Sequence, residues 1–316
     1  ILSYKLDYLI SGYNTTSYHL TNIIIHIIVT ILVYMVTYKV MKNIYISLFV
    51  SLFFCFHWMH VEPVAWISGR KDLLAGLFFF SSLLTYILYK EKNNSRYYLF
   101  SLLLILLGML SKPSVAGLPF VLLLYDYYKK GKIIKKDILL ILPFIFIVFL
   151  ILLIPFSFDK SLSAINNLTN IYPLKDRIFF PSAVFSYYLV KIILFKNLTA
   201  FSGFPEKTGG ILPIWYYFSL LVYLFFVLLI YRSVKTRRLV VFGILFYIVN
   251  LLIVSHLIPF GTSIFADRYT YIPYVGIFLL MGYFIDEKIK KDKIKYFLLG
   301  IFVVFMVFVF KDRVKI

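Results

Sequence analysis

The chain has one cysteine among its 316 residues, so no disulfide can form within it, and Cys55 lies inside an apolar run. Charged residues make up 15% of the sequence, against about a quarter in a typical soluble domain. The sequence shows no internal repeat and no low-complexity linker, and its first residues do not form a signal-peptide pattern. These shortages exclude a disulfide-stabilised scaffold, a repeat array and an ordinary soluble domain.

Apolar residues are abundant instead: they form 62% of the sequence, with 34 Phe and 27 Tyr, and the mean hydropathy is +0.90. A spanning helix needs about 20 mostly apolar residues. The pattern therefore predicts an all-α integral membrane protein, a polytopic helical bundle with ten spans: residues 20–40, 43–60, 72–90, 97–112, 114–129, 137–157, 212–231, 239–258, 268–286 and 294–311.

Positive charge is concentrated in the short loops between these runs, and the net charge is +19. Basic loops favour the cytoplasmic side of a membrane, so this charge indicates topology and we predict no nucleic-acid partner. For the basic loops at 129–137 and 231–238 to share one side, residues 158–211 must cross an even number of times. The apolar stretch 178–196 is therefore predicted to be a non-spanning helix in a large extracytoplasmic loop.

The densest polar segment is residues 57–72, on the predicted outer side. It is open to two interpretations. As an interfacial loop it would place Trp at the headgroup level and touch lipid phosphate through Arg70 and Lys71. As a site, those two cations suit a phosphate or pyrophosphate. His57, His60 and Glu62 could hold a divalent cation, although the spacing is a weak metal signal. For Asp72 we favour a helix N-cap.

Other polar residues stand at the same predicted boundary. Lys112 lies at a tight turn, where it could reach the headgroups or face a cavity. Asp267 and Arg268 either cap and pair locally or present an arginine to an anionic headgroup. Asp7 is interpreted as a lone exposed carboxylate of little meaning. A polar stripe on the first span is expected to pack against other helices, and consists of His19, Asn22 and His26.

Taken in order, these runs resemble the membrane part of the transmembrane and tetratricopeptide repeat-containing O-mannosyltransferases and their prokaryotic relatives, which are of the GT-C class of glycosyltransferases. The resemblance extends over nearly the whole chain, and its most specific part is residues 57–75. The matching runs are Tyr18–Asn22 with His26, His57–Ala75, Leu110–Pro113, Leu118–Pro119 with Leu124–Asp126, and Ala266–Pro273.

The resemblance implies transfer of a sugar from a polyprenyl-phosphate donor to a hydroxyl, usually of protein Ser or Thr, on the extracytoplasmic face. Glu62 and His60 would then shape the sugar or acceptor pocket or hold a metal. The lipid phosphate would be bound by Arg70, Lys71, Lys112 and Arg268, with His57, Asp72, Asp267 and Tyr269 in support. It implies a multi-pass protein in the plasma membrane of a prokaryote or the endoplasmic reticulum of a eukaryote, in contact with membrane lipid, a sugar donor and a protein acceptor.

The chain departs from the family in three ways. An earlier span and an outer loop with paired acids are absent, and with them the expected catalytic base. Pro113 follows Ser111-Lys112 where the family usually has Glu, and no tetratricopeptide repeats follow. We therefore predict a single membrane-embedded GT-C-like domain over residues 1–316. A transporter or lipid flippase, or an inactive relative, are the alternatives.

Overall fold

The computed structural model describes residues 2–154, 167–194, 199–258 and 263–314, without the side chains of 310–314. The described chain is helical, and its β contacts are two isolated antiparallel bridges, Ser202–Phe265 and Thr208–Ile211. The helices are α1 (Leu2–Ser11), α2 (Thr15–Met41), α3 (Ile44–Phe56), α4 (Val61–Ala65), α5 (Arg70–Lys92), α6 (Ser95–Ser111), α7 (Leu118–Lys130), α8 (Lys135–Leu153), α9 (Leu174–Arg177), α10 (Phe180–Lys191), α11 (Trp215–Ser233), α12 (Arg238–Ile253), α13 (Tyr274–Lys288) and α14 (Asp292–Val314).

Asparagine caps explain where several helices begin. The side chains of Asn14, Asn43 and Asn94 each accept a hydrogen bond from a backbone N–H in the first turn of α2, α3 and α6. Such a cap satisfies one of the donors that a helix start leaves open. Asn93 and Gly131 end α5 and α7 in the left-handed conformation, which these residue types adopt readily. Local sequence therefore sets these boundaries.

Four of the described helical segments are long and apolar enough to cross a membrane: Thr15–Met41, Ile67–Lys92, Lys135–Leu153 and Trp215–Ser233. A fifth is added if Ile44–Phe56 and Trp58–Ala65, bent by 50° at their junction, count as one span. Each of the ten predicted segments contains a helix, but ten crossings stay a prediction. The 12 residues of α10 are too few to cross a hydrocarbon core of about 30 Å.

The described residues divide into two compact units. The first comprises Ile1–Lys112 and Met281–Ile316. Within it α2 packs against both α3 and α5, α5 pairs along its length with α6, and α14 covers α3. Two members of the polar stripe on α2, Asn22 and His26, are buried, and His19 is half-buried. The His26 ring hydrogen-bonds the carbonyl of Cys55 at 3.0 Å.

The second unit is Pro113–Leu280. Here α7 packs on α8 and α12, while α10 packs on α11 and α12. Buried tyrosines join α10 to later elements: the Tyr188 hydroxyl lies 2.9 Å from both the N–H and the carbonyl of Ala266, and Tyr274 donates to the Tyr188 carbonyl at 2.6 Å. The single domain expected over residues 1–316 stays a prediction.

Candidate functional site

The polar segment 57–72 forms a compact turn between α3 and α5. It contains 3₁₀ turns at Trp58–His60 and Ile67–Gly69, on either side of the short helix α4. Its two halves touch at Gly69, where a Cβ would stand 2.5 Å from the Pro63 carbonyl oxygen. Only glycine fits this close approach without a shift of the backbone. The chain thus folds back on itself immediately before Arg70.

Asn22 of α2 ties this turn to the bundle. Its amide nitrogen lies 3.3 Å from the Val64 carbonyl and 3.2 Å from the Trp66 carbonyl. Its side-chain oxygen accepts a hydrogen bond from Arg70 Nε at 2.8 Å. Buried amides are stable only when their donors and acceptors are satisfied, and this one uses both ends. Asn22 therefore positions both the turn and the arginine.

The Arg70 side chain is fully buried, and oxygens and aromatic rings surround it. Its Nη2 donates to the Tyr18 carbonyl at 2.9 Å and pairs with the Asp7 carboxylate at 2.5 Å. The guanidinium carbon lies 4.4 Å from the centroid of the Tyr4 ring. Nη1 is buried, and it has no hydrogen-bond partner among the residues that the structure describes. One donor of this cation is therefore still available.

Asp7 corrects the sequence interpretation, which made it a lone exposed carboxylate. It is 7% exposed, pairs with Arg70 and accepts a hydrogen bond from the Thr21 hydroxyl at 2.9 Å. A buried carboxylate is stable only with such partners. No local pattern could have revealed the pair, because its members are remote in the sequence.

A second carboxylate–cation pair lies next to the first. Lys112, just after α6, contacts Asp72 in the first turn of α5. The predicted N-cap role of Asp72 is wrong, because α5 begins at Arg70 and its N-cap is Gly69. A carboxylate in a first helical turn still interacts favourably with the helix dipole. Asp72 therefore anchors Lys112 rather than the helix start.

Tyr4 of α1 connects the two pairs electrostatically. Burial raises the pKa of its phenol, the Arg70 charge opposes that shift, and Asp7 and Asp72 add to it. Its hydroxyl donates to the Ile67 carbonyl at 2.9 Å, and so it also fixes the turn before Arg70. Two cations and two carboxylates thus share one small region of the first unit.

The other residues of the predicted site in this turn have different surroundings. His60 is buried and donates from Nδ1 to the Phe54 carbonyl at 2.7 Å, while His57 Nδ1 accepts from the Met59 N–H at 3.3 Å. Glu62 is buried in α4. Within the described ranges no group of three or more His, Cys, Asp or Glu side chains could hold a metal ion. The divalent-cation alternative at His57, His60 and Glu62 therefore finds no ligand set.

Lys71 is exposed, and its ammonium lies 6.0 Å from the centroid of the Trp66 ring. This distance is that of a cation–π interaction at an exposed site. Of the three predicted phosphate-binding cations in the first unit, Lys71 is exposed, Lys112 is part-buried and Arg70 is buried.

In the second unit, Asp267 and Arg268 hold a neighbouring loop. Asp267 is fully buried, and its carboxylate accepts from the Thr199 N–H at 3.2 Å. Arg268 donates from Nη1 to the Ala200 carbonyl at 2.6 Å, and its guanidinium lies 5.4 Å from the Tyr269 ring. These hydrogen bonds join residues 199–202 to residues 263–268. Arg70 and Lys112 belong to the first unit, and Arg268 belongs to the second.

The comparisons with known proteins give matches over part of the chain. Protein O-mannosyl-transferase TMTC2 of Mus musculus is 36% identical over 86 residues, which cover 27% of this chain and 10% of the relative. The Homo sapiens TMTC2 matches to the same extent, and Homo sapiens protein O-mannosyl-transferase TMTC3 is 30% identical over 95 residues, 30% of this chain and 10% of the relative.

The matched part thus spans about a tenth of the length of these curated relatives. No protein-family model and no solved structure matches the chain. On the matched segment, and on the polar runs that we quoted from the sequence, the chain resembles the transmembrane and tetratricopeptide repeat-containing protein O-mannosyltransferases.

Proposed function

We propose that the chain is the membrane part of a GT-C-type glycosyltransferase. It would move a mannosyl or other hexosyl group from a polyprenyl-phosphate donor to a hydroxyl, that of a protein Ser or Thr, on the extracytoplasmic face. One observation carries this proposal. The chain resembles relatives named as protein O-mannosyl-transferases over part of its length, and it carries two cation–carboxylate pairs, at Arg70 and Lys112, beside apolar helices.

The cations are assigned to the donor. Within the first unit, Arg70, Lys71 and Lys112 would bind the lipid phosphate, whose negative charge grows as the bond to the sugar breaks. Preorganised positive charge at that position lowers the barrier, because it need not reorganise during the reaction. The buried surroundings of Arg70 strengthen such an interaction relative to water.

The remaining predicted residues are assigned to the pocket. Glu62 and His60 would shape the site for the sugar or the acceptor hydroxyl. The orientation of His60 is set by its bond to the Phe54 carbonyl, which leaves Nε2 as the acceptor nitrogen of the neutral ring. His57 and Asp72 would hold these groups in place in the first unit, and Asp267 and Tyr269 would hold Arg268 in the second unit.

The topology belongs to the same proposal. The ten predicted segments would cross the membrane, the basic loops would face the cytoplasm, and residues 158–211 would form the large outer loop with α10 as its non-spanning helix. The Arg70 and Lys112 pairs would then lie at the outer boundary, where a lipid-linked donor presents its phosphate. The compartment would be the plasma membrane in a prokaryote or the endoplasmic reticulum in a eukaryote.

The test is transfer of a radiolabelled hexose from polyprenyl phosphate to protein, in membranes that contain the full-length gene product. We expect transfer by the wild type and its loss in a Glu62→Ala, Arg70→Ala double variant. Lys130→Ala is the matched control for charge removal, since Lys130 pairs with the buried Asp137 at 2.5 Å in the second unit, outside the proposed site. It should keep the wild-type rate.

A folded wild-type protein that transfers no hexose would contradict the proposal. Movement of the polyprenyl lipid across the bilayer without transfer would favour the flippase alternative. Equal activity of the double variant and the wild type would remove Glu62 and Arg70 from the site.

A further inference from the structure

The counter-ion of Arg70 comes from an amphipathic helix at the edge of the first unit. The apolar residues along one face of α1 are strongly exposed: Leu2 81%, Leu6 61%, Leu9 73% and Ile10 83%. The opposite face carries Asp7, which is buried against Arg70. Because α2, which is long and apolar enough to cross a membrane, begins at Thr15, α1 would lie at the membrane boundary. An exposed apolar face there is suited to acyl chains.

The groups that orient the Arg70 side chain differ from the group that balances its charge. The Asn22 side chain and the Tyr18 carbonyl orient the guanidinium, but both are neutral. The only ion pair that Arg70 makes among the described residues is with Asp7. A buried cation without a counter-ion is costly, so Asp7 stabilises Arg70 while the site is empty.

A phosphate monoester or diester offers the same anionic oxygens as a carboxylate, and it can engage two nitrogens of one guanidinium. Nη2 is the nitrogen that Asp7 occupies, and Nη1 is the buried donor that has no partner within the described ranges. A lipid phosphate arriving beside α1 would therefore satisfy Nη1 and take over the charge on Nη2. Asp7 would then turn away from Arg70 and give up the hydrogen bond from Thr21 that holds it there.

We propose that Asp7 is an exchangeable counter-ion that holds Arg70 in place until the phosphate of the lipid-linked donor replaces it. Asp7 is thus a positioning residue, acting through Arg70, and the exchange forms and breaks no covalent bond. This inference rests on the proposed function, because it takes the anion to be the donor's phosphate. Its consequence is that Asp7 competes with the donor for the same guanidinium.

If Asp7 competes with the donor, the Asp7→Asn variant should be less stable and yet bind the lipid more tightly. Both properties are measured with the purified full-length gene product in detergent. The variant should unfold at a lower temperature by itself, because Arg70 loses its counter-ion. Polyprenyl phosphate should nevertheless bind it more tightly than wild type, with a Kd lower by roughly three- to tenfold, the usual scale for one removed charge interaction. Its unfolding temperature should also rise more on addition of that lipid.

Asp137→Asn is the matched control. Asp137 is 1% exposed and pairs with Lys130 at the same 2.5 Å, but it lies in the second unit. This variant should lose stability without any change in the Kd for polyprenyl phosphate. Inorganic phosphate at the same concentration tests the source of the anion. It should stabilise Asp7→Asn much less than the lipid does, and an equal effect would overturn the assignment to a lipid phosphate.

A merely structural Asp7 would give a Kd in Asp7→Asn that is unchanged or higher, and that result would overturn the inference. If Asp7→Asn does not fold, Thr21→Val provides the second test. It removes the hydroxyl that holds Asp7 in the empty site, and it should lower the Kd by about two- to tenfold, the scale of one hydrogen bond. An unchanged or higher Kd in Thr21→Val would overturn the inference in the same way.

The failure of the proposed function is distinguishable from the failure of this inference. A wild-type protein that neither binds polyprenyl phosphate nor transfers hexose would remove both. A wild type that binds and transfers, beside an Asp7→Asn variant with no gain in affinity, would remove only the role of Asp7.

Discussion

The carboxylate of Asp7 and the guanidinium of Arg70 form an ion pair of 2.5 Å in which the side chains are 8% and 0% exposed. The pair joins α1 to the first turn of α5, and the Asn22 side chain between them belongs to α2. Three helices therefore meet at one guanidinium. Arg70 therefore stabilises this junction, and the same residue is the one proposed to bind the donor phosphate.

Removal of the arginine should destabilise the first unit. We expect Arg70→Gln to lower the free energy of unfolding by about 3 kcal/mol, the usual cost of leaving one member of a buried ion pair alone. Thermal unfolding in detergent measures the loss. Lys71→Gln is the neighbouring control: its side chain is exposed, so its effect should be within about 0.5 kcal/mol. If both variants lost a similar free energy of unfolding, the burial of Arg70 would not be the cause of the destabilisation.

The close approach at Gly69 predicts a steric effect. Gly69→Ala places a Cβ 2.5 Å from the Pro63 carbonyl oxygen and should cost about 1–3 kcal/mol, as overpacked sites do. Gly203→Ala is the matched control, since nothing lies within 4 Å of the added Cβ. The steric effect is measured by comparing the unfolding temperatures of Gly69→Ala and Gly203→Ala, and Gly69→Ala should unfold at the lower temperature. A Gly69→Ala protein as stable as wild type would mean that the turn before Arg70 can relax.

Two of the lysine–carboxylate pairs in the first unit should differ in strength. Asp72 is 4% exposed in its pair with Lys112, whereas Lys39 and Glu91 are 29% and 30% exposed. A double-mutant cycle on Lys112 and Asp72 should give a coupling energy of about 1–3 kcal/mol. The cycle on Lys39 and Glu91 should give less than about 1 kcal/mol, and it should weaken with added salt. Equal coupling energies in the two cycles would contradict the difference in burial.

The amino-acid sequence by itself determined the helical class and the places where the helices lie, because apolar runs and asparagine caps act over a few neighbouring residues. The segments predicted at 20–40, 72–90 and 137–157 correspond to α2, α5 and α8. The sequence also singled out Arg70 and Lys112 as the cations to examine. The apolar runs did not reveal how long each helix is: α7 and α13 are shorter than the runs that contain them. The number of membrane crossings therefore could not be read from the runs alone.

Only the tertiary structure decided the partners of those cations. Asp7 appeared isolated in the sequence and Asp72 resembled a helix cap, yet each is the counter-ion of a candidate phosphate-binding residue. The physical reason is the cost of burying an uncompensated charge. That cost must be met by whatever carboxylate the packing of α1, α5 and α6 brings within reach, and no local pattern in the sequence records which one it is.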